Sequence, residues 1–470
     1  MASVPDFRPE RRSGFRRIAD AFLSQPGLPF TQLLSAERIE RAFTEHGNLF
    51  GGTVYSTALM VWSFLGQVLR DGKQASCQAA VARVVVHQQQ TGGPAPTADT
   101  GDYCRARAKL SEAALHALTV EIGAEVERQA RPDWLWKELH AKLVDGLTFT
   151  MPDTPANQAE YPQPNSQKRG LGFPMARACA ILSLATACIL DLELGPYSGK
   201  ETGETALLRS LLGSFSEGDL LVADRYYCSF MMIALLQQRG VEVCARLHQR
   251  RRADFRRGQR LGPDDHLIEW TRPERPDWMD EETYAQIPET LTLREMRYCV
   301  VAPGRRVRLL TVVTTLLDAE TYSREDIAEL YAFRWNSELD IRSIKQSLNL
   351  AHVRCKSPEM VRRELWTTLL AYNLVRTTAA AAAALHDKQP RQVSFTGTCQ
   401  YVLASWSSFS ADQPAAYVLA RQRELLVQIA TCEVANRPGR IEPRELKRRR
   451  HGYKLMQEPR TVLRARLAQR

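Results

Sequence analysis

Four polar residues between positions 331 and 345 have types and spacing that could support chemistry on a phosphate chain. Tyr331, Arg334, Glu338 and Lys345 are separated by two, three and six intervening residues. At about 100° per residue, these positions fall within a roughly 60° arc of one helix face. One carboxylate would then be aligned with a phenol and two cations. Such a face could hold a metal ion through the acid while the cations bind a phosphate backbone.

Two aspartates occupy positions where an apolar strand would not normally tolerate a charge. Asp145 interrupts the apolar run 143–149, and Asp224 closes the run 220–223. An ionised carboxylate beside a core strand costs several kcal/mol unless it is paired or bound to a metal. Each aspartate alone is more simply explained as a cap for the following turn or helix. Together with Glu338, however, they form a set that could converge on two divalent cations.

The chemistry of such a centre would be phosphodiester cleavage without a covalent enzyme intermediate. Magnesium fits because it is held by few carboxylates and keeps positions open for phosphate and water, and manganese would substitute. Two ions about 4 Å apart can activate the attacking oxygen and stabilise the leaving one. No other catalytic set competes, since the sequence contains no HExxH, GxGxxG, GxSxG or Walker motif.

The composition predicts a globular protein of two to four domains. Its 470 residues are 44% hydrophobic and 25% charged, which excludes disorder of the whole chain. The net charge of +10 leaves a polyanionic partner at about even odds. Ten cysteines without a CxxC pair favour buried reduced thiols over disulfides or zinc sites. The chain shows no signal peptide or membrane-spanning run, so we expect a soluble cytoplasmic protein.

The hydrophobic periodicity divides the chain into regions that would position these residues. Helical spacing near the start gives way, from about residue 139, to short apolar runs that alternate with helices, which predicts a mixed α/β sheet. The four-residue face would lie on one helix beginning near Ser323, and a second long helix would follow from Pro358. The predicted regions are 1–130 (helical), 131–246 (α/β), 247–320 (β-rich), 321–385 (α/β, second part) and 386–470 (helical and basic).

These residues resemble a known family. The spacing Tyr331-x2-Arg334-x3-Glu338-x6-Lys345 matches the signature of DDE transposases from bacterial insertion sequences, specifically insertion sequence family four. The segments around the two aspartates look like that family's first and second acidic blocks, and the similarity spans roughly residues 45–380.

The resemblance implies a fold and a set of roles. It implies an RNase H-like catalytic core interrupted by a β-rich insertion at 247–320, with an N-terminal helical DNA-binding domain and a helical C-terminal region. The implied catalytic and metal-binding triad is Asp145, Asp224 and Glu338. The residues implied to contact phosphates are Tyr331, Arg334 and Lys345, and Arg225 could contact a phosphate or form a structural ion pair.

The implied reaction is magnesium-dependent strand cleavage at transposon ends, followed by strand transfer into target DNA. The partners would be double-stranded DNA, namely the terminal inverted repeats and the target, with a homodimer holding both ends near the nucleoid. A hairpin route would need an aromatic residue for a flipped base, and Trp270 and Trp278 are candidates, although core packing is favoured for each. An RNase H-like nuclease and a non-cutting DNA-binding remnant stay open as alternatives.

Several basic segments stay open between two interpretations. Arg105, Arg107 and Lys109 are as well explained by an ordinary solvated helix face as by DNA contact. The tail at 430–470 does not fit the family pattern and could be a DNA-binding arm, a dimerisation element or a solubility feature.

Overall fold

The structure is a computed structural model, and it describes most of the chain. The described residues are 33–52, 54–94, 96–300, 308–406, 415–435 and 456–469. The expectations for residues 1–32 and for the basic stretch 436–455 lie outside the described residues.

The amino-terminal region is helical as predicted, throughout its described part. Serine side chains begin most of its helices: Ser56, Ser76 and Ser111 each accept a hydrogen bond from a backbone N–H of the first turn. The helices are α1 (Ala36–His46), α2 (Thr57–Val68), α3 (Cys77–Thr91), α4 (Gly101–Ala108) and α5 (Glu112–Arg128), with 3₁₀ turns at Gly72–Ala75 and Pro132–Trp134.

A mixed α/β architecture follows, built on one sheet of nine strands. The strands are β1 (His140–Thr150), β2 (Met175–Ser183), β3 (Ile189–Pro196), β4 (Asp219–Ala223), β5 (Glu242–Arg246), β6 (Gln259–Gly262), β7 (Asp265–Thr271), β8 (Thr290–Val300) and β9 (Arg308–Thr314). Their spatial order is β3-β2-β1-β4-β5-β9-β8-β7-β6. β4 runs parallel to both β1 and β5, whereas β2 runs antiparallel to β1 and β3.

The strands from the 247–320 segment continue this sheet. β9 pairs antiparallel with β5, and β8, β7 and β6 follow outward from it. The helices between and after the strands are α6 (Pro155–Glu160), α7 (Glu204–Ser210), α8 (Phe230–Gln237), α9 (Glu281–Gln286), α10 (Arg324–Ala332), α11 (Trp335–Ser347), α12 (Pro358–Leu385), α13 (Phe395–Ser405), α14 (Ala415–Thr431) and α15 (Arg460–Ala468), with 3₁₀ turns at Leu212–Ser214, Arg225–Tyr227 and Pro390–Gln392.

The helix α12 forms the centre of the helical layer. Its alanine run at 379–383 is fully buried, so the helix packs closely against its neighbours. Buried Asn373 joins three elements: its side chain accepts from the Ile189 N–H at 2.8 Å and donates to the Thr119 carbonyl of α5 at 3.0 Å. At Gly123 of α5, an added Cβ would lie 2.2 Å from the Ile189 carbonyl oxygen. The amino-terminal helices are therefore packed tightly against the β3 side of the sheet.

The prediction that one helix carries positions 331–345 was wrong, because the structure divides it in two. Ser323 does begin the first helix as predicted, with a capping box in which Asp326 is the reciprocal partner. The break falls at residues 333–334. There the Ser337 N–H bonds to the Arg334 carbonyl at 3.1 Å, three residues back instead of four. This tighter turn moves Tyr331 onto α10, while Glu338 and Lys345 lie on α11.

The cysteines and the membrane prediction can be checked on the same structure. All ten cysteines are free, six of them are buried, and Cys299 is exposed, which confirms the expectation of reduced thiols. No described helix is both long enough and apolar enough to cross a membrane.

Candidate active site

Strand pairing brings the two aspartates together. In the parallel pair of β1 and β4, Val144 lies opposite Ala223, and an aspartate directly follows each of them. Asp145 and Asp224 therefore emerge from neighbouring strands, whose spacing is about 4.8 Å. The prediction of one aspartate inside a strand and one at a strand end is confirmed.

Asp145 is held by three groups of the site. Its Oδ2 accepts a hydrogen bond from the Ser337 hydroxyl at 2.8 Å and lies 3.8 Å from Nη1 of Arg334. The backbone N–H of Gly146 donates to Oδ1 at 2.9 Å. Burial raises the pKa of Asp145 above its ordinary value, the three contacts oppose that rise, and the charge of Glu338 adds to it. The carboxylate thus lies where an additional cation would be favourable.

Glu338 reaches the same place through a shared arginine. Arg334 Nη2 donates to Glu338 Oε1 at 2.9 Å, so its guanidinium bridges the carboxylates of Glu338 and Asp145. The Glu338 side chain is 41% exposed, whereas that of Arg334 is only 11% exposed. The first turn of α11 therefore presents its acid to solvent on the β1 side of the site, joined to Asp145 through the more buried arginine.

A second acid on α11 is committed to structure. Asp340 is two residues from Glu338, so its side chain points about 200° around the helix. It is 1% exposed and accepts from Arg376 and from Arg391, each at 2.8 Å. The sequence offered two acids on this helix, and only Glu338 is left for the site.

The remaining residues of the motif also face the acids. Tyr331 is 5% exposed; burial raises its pKa, Arg334 opposes the rise, and the charge of Asp224 adds to it. Lys345 is half-buried, and burial lowers its pKa while the charge of Asp145 opposes that change. Tyr331 and Lys345 thus lie within electrostatic reach of Asp224 and Asp145 respectively. Tertiary packing has preserved the grouping that the spacing predicted, although the helix is broken.

Glu204 is a further acid close to the site, which the sequence analysis missed. It lies on the face of β1 opposite to Asp145, because neighbouring residues of a strand point to opposite faces. A Cβ added to Gly146 would lie 2.2 Å from the Cδ of Glu204, so its carboxylate packs directly on that glycine. The Tyr227 hydroxyl donates to Oε2 at 3.4 Å. Burial raises the pKa of Glu204, and the charges of Asp145 and Asp224 add to that rise. The only signal in the sequence was a glycine directly after Asp145.

The arginine after the second aspartate has no ion-pair partner in the described part of the chain. Arg225 is partly exposed and its guanidinium lies 5.6 Å from the centre of the Tyr226 ring. Its Nε is buried without a hydrogen-bond partner among the described residues. Of the two interpretations left open for Arg225, the structural ion pair is not formed with any residue that the structure describes.

The two candidate tryptophans have different environments. Trp270 is 4% exposed and donates to Glu295 at 2.9 Å, which confirms core packing. Trp278 is 38% exposed, with the Arg209 guanidinium 4.1 Å from its ring centre, so the expectation of core packing was wrong for it. The reason is its place in the loop after β7, outside the sheet.

The basic residues of α4 differ from a simple solvated face. Arg105 is exposed and pairs with Asp102 one turn earlier. Arg107, by contrast, donates to Gln67 at 2.9 Å and lies 4.9 Å from the centre of the Phe64 ring, so it joins α4 to α2.

Comparison with known proteins assigns the family. A family model described as the transposase DDE domain matches residues 137–374, which is more than half of the chain. The chain belongs to the DDE transposase family. It is therefore an enzyme that acts on DNA, and the matched region contains both aspartates and all four residues of the motif.

Individual relatives agree with this assignment. The transposase InsG for insertion sequence element IS4 of Escherichia coli (strain K12) is 26% identical over 440 residues, which cover 90% of this chain and 93% of InsG. The putative transposase InsZ of the same strain is 30% identical over 115 residues, which cover 24% of this chain and 37% of InsZ. A solved piggyBac transposase synaptic complex with hairpin DNA aligns over 87% of this chain and 85% of that chain at 10% identity, with a TM-score of only 0.42.

DDE transposases depend on a divalent metal, and the donors of this site fit one by chemistry. Asp145, Asp224 and Glu338 provide carboxylate oxygens, the ligands that hard divalent cations prefer. Their gathering is incomplete, since no group of three or more acids, histidines or cysteines in the described residues is close enough to hold a metal ion. The guanidinium of Arg334 lies between the carboxylates of Glu338 and Asp145.

Proposed function

We propose that this transposase cleaves DNA strands at the ends of its own element and transfers those ends into target DNA. The observation that supports this most directly is the pairing of β1 with β4, which sets Asp145 beside Asp224, with Glu338 tied to Asp145 through one arginine. Three acids contributed by two parallel strands and a helix form a site open to solvent at Glu338. Such a site suits a long polyanionic substrate.

The three acids Asp145, Asp224 and Glu338 are the proposed catalytic residues and ligands for two magnesium ions, for which manganese would substitute. Bound there, the ions would activate the attacking oxygen and stabilise the leaving oxygen of a phosphodiester. The Ser337 hydroxyl orients Asp145 and opposes the rise of its pKa by donating to Oδ2. Arg334 holds the Glu338 carboxylate near the strands until that carboxylate binds a metal ion.

Four residues around the acids are the proposed contacts to DNA phosphates: Tyr331, Arg334, Lys345 and Arg225. Arg334 carries the charge best placed for a phosphate that approaches the acids, because its guanidinium already lies between two of them. The buried Tyr331 hydroxyl would reach such a phosphate only close to the strand ends.

The domain layout is part of the same proposal. Strands β1 to β5, with α10 to α12, form the RNase H-like core, and 247–320 is the insertion that widens its sheet. Residues 1–130 bind the terminal inverted repeats, and 386–470 contribute to dimerisation or DNA contact. Two copies of the chain hold both ends in one complex, in the cytoplasm at the nucleoid.

A hairpin route is supported by one aromatic residue. Trp278 lies in the 247–320 segment and exposes its ring, which a flipped base would need for stacking. It already stacks against the guanidinium of Arg209, so its ring is oriented before any base arrives. Trp270 is excluded from this role by its burial.

The experiment is strand cleavage of duplexes made from the terminal inverted repeats that flank the reading frame, with magnesium or manganese. Asp145→Ala, Asp224→Ala and Glu338→Ala should each abolish cleavage while binding to the same duplexes persists. The matched control is Glu329→Gln, an exposed acid on α10, which should cleave at the wild-type rate. Retained cleavage by Glu338→Ala would refute the assignment of that residue.

The products separate this proposal from its alternatives. Joining of the cleaved ends to a second DNA indicates transposition, whereas hydrolysis products alone indicate a nuclease. Specific binding without any cleavage indicates a non-cutting remnant.

A further inference from the structure

A strongly basic segment follows β5 and has no role in the site described above. Residues 248–260 contain six arginines and a single acid, Asp254. All six guanidinium-bearing residues are exposed: Arg250, Arg251, Arg252, Arg256, Arg257 and Arg260. A surface with this excess of positive charge suits a polyanion.

The segment begins at the same edge of the sheet as the catalytic aspartates. β4 and β5 are parallel, and Ala223 lies opposite Ala245. Arg246 follows Ala245 as Asp224 follows Ala223, and the arginine segment begins two residues after Arg246. Tyr331 is within electrostatic reach of both Asp224 and Arg246. The basic segment therefore begins beside the site and ends where Gln259 and Arg260 pair with β7, further along the sheet.

The segment has a fixed shape, because backbone contacts attach it to β7. Gly258 adopts a φ of +72°, and a Cβ there would lie 2.0 Å from the Leu267 carbonyl oxygen. The His266 Nδ1–H donates to the Arg257 carbonyl at 2.7 Å, and the ring of Phe255 lies 4.7 Å from that of His266. The guanidinium groups are thus presented from an ordered surface.

The two sides of the catalytic edge carry different elements. On the β3 side, the amino-terminal helix α5 packs against the sheet, with His116 bonded to Asp191 at 2.9 Å. On the β5 side, the arginine segment lies against β7. A duplex whose end sequence is held by the amino-terminal helices would, after crossing the two aspartates, continue over the arginines.

We propose that residues 248–260 bind the phosphate backbone of the DNA that flanks the element, beyond the bond that is cleaved. This inference rests on the proposed function, because it assumes that the end sequence is held by residues 1–130. Its recognition is electrostatic and independent of the flanking sequence, which differs at every insertion site.

Arg250 and Arg252 are the residues to change, because other arginines of the segment have structural contacts. Arg251 stacks 3.8 Å from the centre of the Trp270 ring, and Arg256 pairs with Asp254. The test variant is Arg250→Ala with Arg252→Ala in the full-length chain. The matched control is Arg169→Ala with Arg239→Ala, which removes two exposed arginines from outside the regions proposed to bind DNA. A further variant, Arg250→Lys with Arg252→Lys, keeps the charge.

Affinity is measured by fluorescence anisotropy on two duplexes, one ending flush at the cleaved bond and one extended by about two turns of flank. We expect the alanine variant to lose about tenfold in affinity for the extended duplex, and the slope of log affinity against log salt to fall by about 2. Binding to the flush duplex should be unchanged. The lysine variant should retain most of the affinity, and the control should match wild type on both duplexes.

An equal loss on both duplexes would overturn the proposal by placing the arginines on the element's own end. Unchanged affinity for both duplexes would also overturn it, because the segment would then not contact DNA. A different result would refute the proposed function, namely wild-type protein that binds the ends and never cleaves them. The difference in affinity between the two duplexes can be measured even in that case, so the two failures are distinguishable. Unchanged melting temperatures of the variants exclude misfolding as the cause.

Discussion

Replacing Asp340 with alanine is expected to destabilise the helix that carries Glu338. The Asp340 side chain is 2% exposed and neutralises two arginines, Arg376 and Arg391, through hydrogen bonds of 2.8 Å each. Arg376 is itself 6% exposed, so without its partner it would be a buried and uncompensated cation. Removing one partner of a buried pair costs about 3–5 kcal/mol.

The measurement is the melting temperature of the full-length chain. At about 2–4 °C per kcal/mol, the predicted loss lowers it by roughly 6–20 °C. The matched control is Asp387→Asn, which removes the charge of an acid that is 91% exposed and pairs with Arg131 at 3.2 Å, and keeps a residue type that tolerates its φ of +49°. That exposed pair is worth about 0–1 kcal/mol, so the control should melt within about 4 °C of wild type.

A second variant tests the reason for the effect. Combining Asp340→Ala with Arg376→Met removes the buried cation as well as its acid, and should recover part of the lost stability. Equal melting temperatures for Asp340→Ala and Asp387→Asn would refute the claim that this ion pair fixes α11. If the double variant is less stable than Asp340→Ala, the uncompensated charge of Arg376 is not the cause of the lost stability.

The other predictions concern packing, pH and metal. Gly123→Ala should lower the free energy of unfolding by about 1–3 kcal/mol, because the new Cβ meets the Ile189 carbonyl. Gly213→Ala, where a Cβ meets nothing within 4 Å, should be close to neutral in the same urea titration. Ser337→Ala removes a hydrogen bond that lowers the pKa of Asp145, so that pKa should rise and the acid limb of the cleavage rate should move to higher pH. An unmoved or lower limb would contradict this. Removal of the metal by a chelator should stop DNA cleavage by the wild-type protein but leave its affinity for DNA unchanged. Loss of the gel shift in the presence of the chelator would contradict the view that the metal acts only in catalysis.

Local sequence predicted the elements well wherever a local cause decides them. Ser323 begins α10 through its capping box, and the apolar runs around Asp145 and Asp224 are strands that expose one acid each at the site. The single long helix was wrong because apolar spacing continues through residues 333–334 without a glycine or proline. The tighter turn there carries no sequence signal that a periodicity argument can detect.

The environment of single side chains was harder to predict. Trp270 lies in β7 and Trp278 in the loop that follows it, and this position relative to the sheet makes one buried and the other exposed. Glu204 gave no signal of its own, because its contact with Gly146 joins residues that are far apart in the chain.

The sequence by itself determined the residue types, their spacing and the family, because the four-residue motif and the two acidic blocks depend only on the order of residues along the chain. The tertiary structure decided which acids meet. Parallel pairing of β1 with β4 sets Asp145 beside Asp224, and the arginines around Asp340 leave Glu338 for the site. These contacts join residues tens to hundreds of positions apart, so their formation depends on packing of the whole core and not on any local preference.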